Sequence, residues 1–248
     1  MIVSERRGSD LLLLTLQRPE KRNALSLALI EQLTFLLARA GADATVRGVV
    51  VAGAGPSFCA GVDLHEFAEA TPESARALIG ALRFLCATVR GLSKPVACAI
   101  QGHCLGGALE LAACADFRIA TPDSQLGMPE VVLGLPSVID AVMLGHLIGV
   151  GRARELLLTG EPISGETALS WGLVNRLASA EELIDVSAEL LWLVTRHLPE
   201  VIGAQRRLHQ QWLDLPYTQA VELSAEALVE AFRTGAPQQL AAERLRRR

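Results

Sequence analysis

Two glutamates, Glu110 and Glu130, stand 20 residues apart in a charge-poor stretch of this 248-residue chain. Residues 95–149 hold six charged side chains (Glu110, Asp116, Arg118, Asp123, Glu130 and Asp140), about half of what the chain-wide 20% predicts. Both glutamates have small or apolar neighbours, in Gly106-Gly-Ala-Leu-Glu-Leu-Ala-Ala113 and Leu126-Gly-Met-Pro-Glu-Val-Val-Leu133. Burying a carboxylate costs several kcal/mol unless it is paired or protonated. Burial also raises its pKa toward the range where general acid/base catalysis is efficient. Proton transfer is the chemistry such a pair suggests; the plainer alternative is that one or both face solvent or bond local backbone.

A second element precedes Glu110. Gly106 and Gly107 open a helix whose first N–H groups lack internal partners and carry the positive end of its dipole, so an oxygen gaining negative charge there would be stabilised. Gly102-His-Cys-Leu-Gly-Gly107 is not a dinucleotide-binding fingerprint, and the sequence has no phosphate-binding G-x-x-x-x-G-K-[ST] loop. The same residues fit a nucleophile elbow, G-x-C-x-G, with Cys104 on a strand-to-helix turn. A hydrolase built on it would take its acid from Asp140 or Asp185 and its base from His197 or His209.

Such groups need a frame. Residues 10–16 read as a strand. Asn23 or Ser26 caps a helix with Leu25, Leu29, Ile30, Leu33, Leu36 and Leu37 on one face. The β-branched run 47–52 reads as a strand buried on both sides, followed by a Gly/Pro loop at 53–61. Thr71-Pro72-Glu73 opens a second long helix, 94–100 is another buried strand, and 102–107 is a glycine turn into a helix over 108–114. Ser179 and Glu182 form a capping box for a helix running to about His197, and the pattern is helical from Pro199 on. Strands alternating with helices predict an α/β core over 1–195 and a helical region over 196–248. The latter carries a net +2, against −6 for the rest.

Composition narrows the classes. Half of the residues are hydrophobic and mean hydropathy is +0.33, which excludes disorder. The longest charge-free stretches, 48–62 and 95–109, have 15 residues, short of the roughly 20 a membrane-spanning helix needs. The excess apolar material belongs in a deep core or a subunit interface. A net charge of −4 gives no basic field for nucleic acid, and the basic end 243–248 reads as a solvated tail. The five cysteines (59, 86, 98, 104, 114) have neither CxxC spacing nor a nearby histidine at zinc-ligand spacing. They read as buried hydrophobes, with no metal expected. No targeting segment is evident, and a cytoplasmic protein is expected.

Six segments together resemble the crotonase, or enoyl-CoA hydratase/isomerase, superfamily: Arg18-Pro-Glu-Lys-Arg-Asn-Ala-Leu25, Ser57-Phe-Cys-Ala-Gly-Val-Asp-Leu64, Lys94-Pro-Val, 102–116, Gly127-Met-Pro-Glu-Val131 and Leu158-Thr-Gly…Ala168…Gly172-Leu-Val. They follow the family's order and spacing. The resemblance implies a ββα spiral core with a C-terminal helical region that forms trimers, giving a homotrimer or a dimer of trimers. It implies an acyl-CoA thioester substrate, with the CoA carried by the substrate and no resident cofactor, and an enoyl-CoA hydratase as the activity. The backbone N–H groups of Val62 and Gly107 would form the oxyanion hole. Glu130 would transfer the proton at the α-carbon, and Glu110 would orient or activate the water added at the β-carbon. CoA contacts would come from Arg22, Ala24, Ala60, Asp63, Leu64 and His65, the last standing where the family often has lysine. A double-bond isomerase using Glu130 alone, the Cys104 hydrolase and a non-catalytic CoA-binding protein remain as alternatives. One departure stands out. Many hydratases read P-G-x-G-G-T-Q-R after the second glutamate, whereas this chain has Leu135-Pro-Ser-Val-Ile-Asp140. Acyl specificity should differ accordingly, with Ser137 and Asp140 near the acyl group or Asp140 as an exposed helix residue.

Overall fold

The computed structural model describes residues 1–247, so Arg248 of the basic tail lies outside the described residues. Among the described residues nine strands, β1 (Ile2–Arg7), β2 (Leu11–Leu16), β3 (Gly48–Gly53), β4 (Val96–Ile100), β5 (His103–Leu105), β6 (Phe117–Ala120), β7 (Gln125–Gly127), β8 (Ile163–Ser164) and β9 (Arg176–Leu177), form two sheets. The larger has the order β1-β2-β3-β4-β6-β9, parallel except for the β1/β2 hairpin; the smaller has the order β5-β7-β8. The helices are α1 (Leu27–Ala42), α2 (Leu64–Ala68), α3 (Pro72–Gly91), α4 (Gly107–Cys114), α5 (Val142–Ile148), α6 (Val150–Thr159), α7 (Gly165–Trp171), α8 (Leu183–Thr195), α9 (Pro199–Asp214), α10 (Tyr217–Arg233) and α11 (Ala236–Arg246).

The large sheet is the middle layer of the core. On β3 and β4, Val49, Val51, Val96, Cys98 and Ile100 face the cluster built with α1, α3 and α4, while Val50, Ala52, Ala97 and Ala99 face α8 through Leu183, Ala188 and Leu191. Period-2 alternation with both faces covered is what an uninterrupted β-branched run produces in a parallel sheet. Ser26, not Asn23, caps α1, accepting from Leu29 N–H. Asn23 sits at φ +55 and ties its loop together through Arg18 N, Ala54 O and Ser57 O. Thr71 and Ser74 close the α3 capping box. The Ser179–Glu182 bonds form, but α8 starts only at Leu183.

The glycine turn at 102–107 is where the structure departs most from the sequence expectation. His103–Leu105 forms β5, paired in parallel with β7 so that Leu105 stands beside Gly127. The chain turns into α4 only at Gly106, at φ +53.

Past α8, Arg206 of α9 reaches back to both oxygens of Asp116 (2.8 and 2.9 Å) and to Val89 O (3.1 Å). In α10 only Ala220 is buried, and Tyr217, Leu228, Val229 and Phe232 are exposed, as are Leu240 and Leu245 of α11. No described helix is long and apolar enough to cross a membrane.

Candidate active site

Two parallel neighbours in the small sheet deliver the two glutamates. The end of β5 passes through Gly106 into α4, which carries Glu110 in its first turn. The end of β7 passes through Met128 into a 3-10 turn, Pro129–Leu133, which carries Glu130. Pro129 starts this turn and Gly134, at φ +75, ends it. Gly106 N–H donates to Gly127 O at 2.9 Å and locks the two exits side by side. A β-carbon on Gly106 would lie 2.4 Å from Glu130 Oε1, so a side chain there would displace the carboxylate, and φ +53 favours glycine independently.

Glu110 is 3% exposed, and its Oε1 accepts from Ala141 N–H at 3.1 Å. Burial, and then the nearby charges of Glu130 and Asp140, push its carboxyl up to about 8 against the pull of that single amide. Glu130 is half-buried, and Ser137 Oγ donates to its Oε2 at 2.9 Å.

Beside them lie two backbone donors. Val62 pairs with Leu25 as an isolated parallel bridge, in which Leu25 N–H donates to Gly61 O and Asp63 N–H to Leu25 O, and its own N–H meets no acceptor among the described residues. Gly107 N–H, the first of α4, is likewise unpaired among the described residues. A β-carbon at Gly107 would stand 3.6 Å from Val62 Cγ2, which places the two amides on adjoining loops.

The loops holding the other sequence-predicted site residues also meet. Ala60 N–H donates to Arg22 O at 3.0 Å, Ala24 O accepts from Arg18 at 2.8 Å, and Arg22 is exposed at φ 48. Leu64 and His65 open α2 on the surface. Asp63 is different, because its side chain is buried and turned inward. It pairs with Arg18 at 2.9 Å and Lys21 at 3.6 Å and caps α2 through His65 N–H. Burial works against its charge, but these donors and cations outweigh it and hold the carboxyl below its ordinary value. The side chain is therefore a strut between loops.

Of the two alternatives for Asp140, the exposed helix residue is excluded: it is 6% exposed and ion-paired with Arg90 of α3. Neither the Arg18–Asp63 nor the Arg90–Asp140 pair is legible in the sequence, since an arginine facing a loop 45 or 50 residues away leaves no periodic signal.

The nucleophile-elbow reading fails on geometry. Cys104 is the middle residue of β5, fully buried, and burial pushes its thiol well above the ordinary value. Asp140 is committed to Arg90 and Asp185 to Arg7, so neither is a free triad acid. Cys86, Cys114 and Asp140 bring ligand atoms within 4.8 Å of one another, as a metal site would, but Arg90 Nη1 lies 3.3 Å from Cys114 Sγ and supplies the cation there.

Comparison with known proteins gives the family. The family model described as enoyl-CoA hydratase/isomerase matches residues 6–244. The mevalonyl-coenzyme A hydratase sidH of Aspergillus fumigatus is 32% identical over 224 residues, 90% of this chain and 82% of that protein. The short-chain-enoyl-CoA hydratase of Clostridium acetobutylicum is 30% identical over 237 residues, 94% and 90%. The crystal structure of an enoyl-CoA hydratase from Bacillus anthracis superposes with a TM-score of 0.90 at 31% identity, covering 94% of this chain and 91% of that one. Fold, identity and matched length agree, and the chain belongs to the enoyl-CoA hydratase/isomerase family.

Proposed function

We propose that the protein adds water across the double bond of a 2-enoyl-CoA thioester. What supports this reading is the proximity of Val62 and Gly107, whose backbone N–H groups meet no acceptor among the described residues, together with two carboxylates delivered by adjacent strand ends. The N–H pair would hold the thioester oxygen as it becomes an enolate; each such donor is worth roughly 10²–10³ in rate. Burial, with the charge of Glu130 nearby, pushes the Glu110 carboxyl up to about 8, where it can take up and release a proton near neutrality. The step needs Glu110 ionised and a proton on Glu130: water attacks the β-carbon and gives its proton to Glu110, and the enolate takes the proton of Glu130 at the α-carbon. The pair ends with one proton, as it began. Hydration of this kind calls for no resident cofactor.

The relatives' names, among them a mevalonyl-CoA hydratase, a short-chain-enoyl-CoA hydratase and a carnitinyl-CoA dehydratase, support a CoA thioester as substrate. The exposed ends of Arg22, Leu64 and His65 are the groups we assign to the CoA moiety, with Ala24 and Ala60 contributing backbone. The apolar faces of α10 and α11 are assigned to a homotrimer or a dimer of trimers; sedimentation as a 26.5 kDa monomer would remove that assignment.

A panel of acyl-CoA thioesters analysed by mass spectrometry tests the reaction. Hydration adds one water, isomerisation of a 3-enoyl-CoA leaves the mass unchanged, and hydrolysis releases free acid. Glu130→Gln should lower crotonyl-CoA hydration by about 10³-fold, within the range for a lost general acid; undiminished turnover would sink the scheme.

A further inference from the structure

Residues 135–141 carry contacts that the scheme above leaves unused. Ser137 Oγ donates to Glu130 Oε2 at 2.9 Å, and four residues later Ala141 N–H donates to Glu110 Oε1 at 3.1 Å. One short segment thus touches both carboxylates, although they arrive from different strands. Between the two contacts Ile139 sits at φ +50, which a β-branched residue adopts only when its surroundings impose it. The next residue shows what imposes it. Asp140 is buried and paired with Arg90 in the last turn of α3, and Arg90 Nη1 also reaches Cys114 Sγ at the end of α4. The guanidinium therefore joins the segment to two helices, one of which carries Glu110.

We propose that residues 135–141 form a clamp orienting both carboxylates, in which Ser137 is the positioning residue for Glu130 and the Arg90–Asp140 pair is the anchor that keeps Ala141 N–H on Glu110. The terminal torsion of a glutamate is soft and close to two-fold, so an unrestrained carboxylate samples many directions. With Oε2 held by Ser137, Oε1 is the oxygen left beside Gly106. Proton transfer at the α-carbon depends on that direction, because a small misplacement of the reacting atoms is costly in rate. Ser137 touches no reacting atom in this scheme and acts through Glu130. The clamp rests on the hydration reading, and its test keeps the two separable.

Crotonyl-CoA hydration is measured for the wild type, Ser137→Ala, Ser137→Thr, Glu130→Gln and the Glu130→Gln/Ser137→Ala double variant. Losing a hydrogen bond to a carboxylate should lower kcat about tenfold in Ser137→Ala, with KM within about twofold because binding is spared. Ser137→Thr restores the hydroxyl and most of the rate. In the Glu130→Gln background the serine change should cost nothing further, the mark of a residue acting through its neighbour. Equal losses in both backgrounds, or a change in KM alone, overturn the role of Ser137. For the anchor, Arg90→Met/Asp140→Leu replaces the buried pair with apolar side chains of similar size, a change that commonly preserves folding. It should lower kcat in the wild-type background and leave the residual rate of Glu110→Gln unchanged; equal losses in the two overturn the anchor. A fully active Glu130→Gln would overturn hydration and clamp together, whereas an impaired Glu130→Gln with an additive Ser137 loss overturns the Ser137 half of the clamp alone.

Discussion

Glu110 and Glu130 leave neighbouring parallel strands in the same direction and end in opposite surroundings. Glu110 rides a helix, is nearly sealed from solvent, and has one backbone amide to offset the burial that pushes it to about 8. Glu130 rides a single 3-10 turn, is half-buried, and is held by a hydroxyl while its other oxygen rests against Gly106. The helix fixes position so firmly that the environment is free to tune proton affinity. The turn fixes position weakly, so direction has to come from contacts outside it. Two carboxylates of one site are therefore controlled by different physical means, burial for one and steric and hydrogen-bond guidance for the other.

If guidance matters more at Glu130, crowding it should hurt most. Gly106→Ala places a β-carbon 2.4 Å from Oε1 at a residue with φ +53, so either the carboxylate or the turn must move. Displacement of a reacting group by about 1 Å can cost on the order of 10² in kcat, and a loss of that size is expected. A loss below about threefold in steady-state assays would show that Glu130 has room to spare, and the contrast would fail.

Burial at Glu110 is open to a thermodynamic check. The unfolded chain releases this proton near 4.5, whereas the folded protein keeps it up to about 8. Between those values the folded state binds the extra proton, so the contribution of Glu110 to stability is intact at low pH and is lost as pH rises through the window. Glu110→Gln lacks that penalty. Its melting temperature relative to wild type should rise by a few degrees between about pH 5 and pH 8 in thermal melts. A constant difference would mean that Glu110 ionises without cost.

The same contrast explains what could be read in the sequence. Val49, Val50 and Val51 announce a strand because both faces are buried, and the glutamates stand out because charge is sparse around them. Strand β1 gave no such sign, since Ser4, Glu5, Arg6 and Arg7 are all exposed at a sheet edge, where charge guards against stray pairing. Strand β5 has three residues and exists through its pairing with β7, about 20 residues on, so no local periodicity could reveal it. Asp63 and Asp140 read as carboxylates near a site, but what they do is decided by Arg18 and Arg90, partners far along the chain. Residue type and spacing exposed the two glutamates; the ion pairs that hold the loops in place depended on tertiary contact.

The smallest effect is expected at Cys104, and it separates two outcomes of burial. Cys104 lies within β5, its backbone paired with Leu126 of β7 and in a parallel β-bridge with Cys59, and its free thiol has no solvent exposure. Cys104→Ala should leave kcat for hydration within about twofold and lower unfolding stability by about 1 kcal/mol in denaturant titrations, the usual size of a modest core truncation. Iodoacetamide should not inhibit the native enzyme, because alkylation needs an accessible thiolate. Loss of turnover together with alkylation at this residue would restore the nucleophile reading. Burial lifts the Glu110 carboxyl from 4.5 to about 8, into the range where it can exchange a proton near neutrality, and lifts the Cys104 thiol from 9.0 away from that range. The same desolvation that equips an acid for catalysis silences a nucleophile whose ordinary value already lies on the far side of neutral.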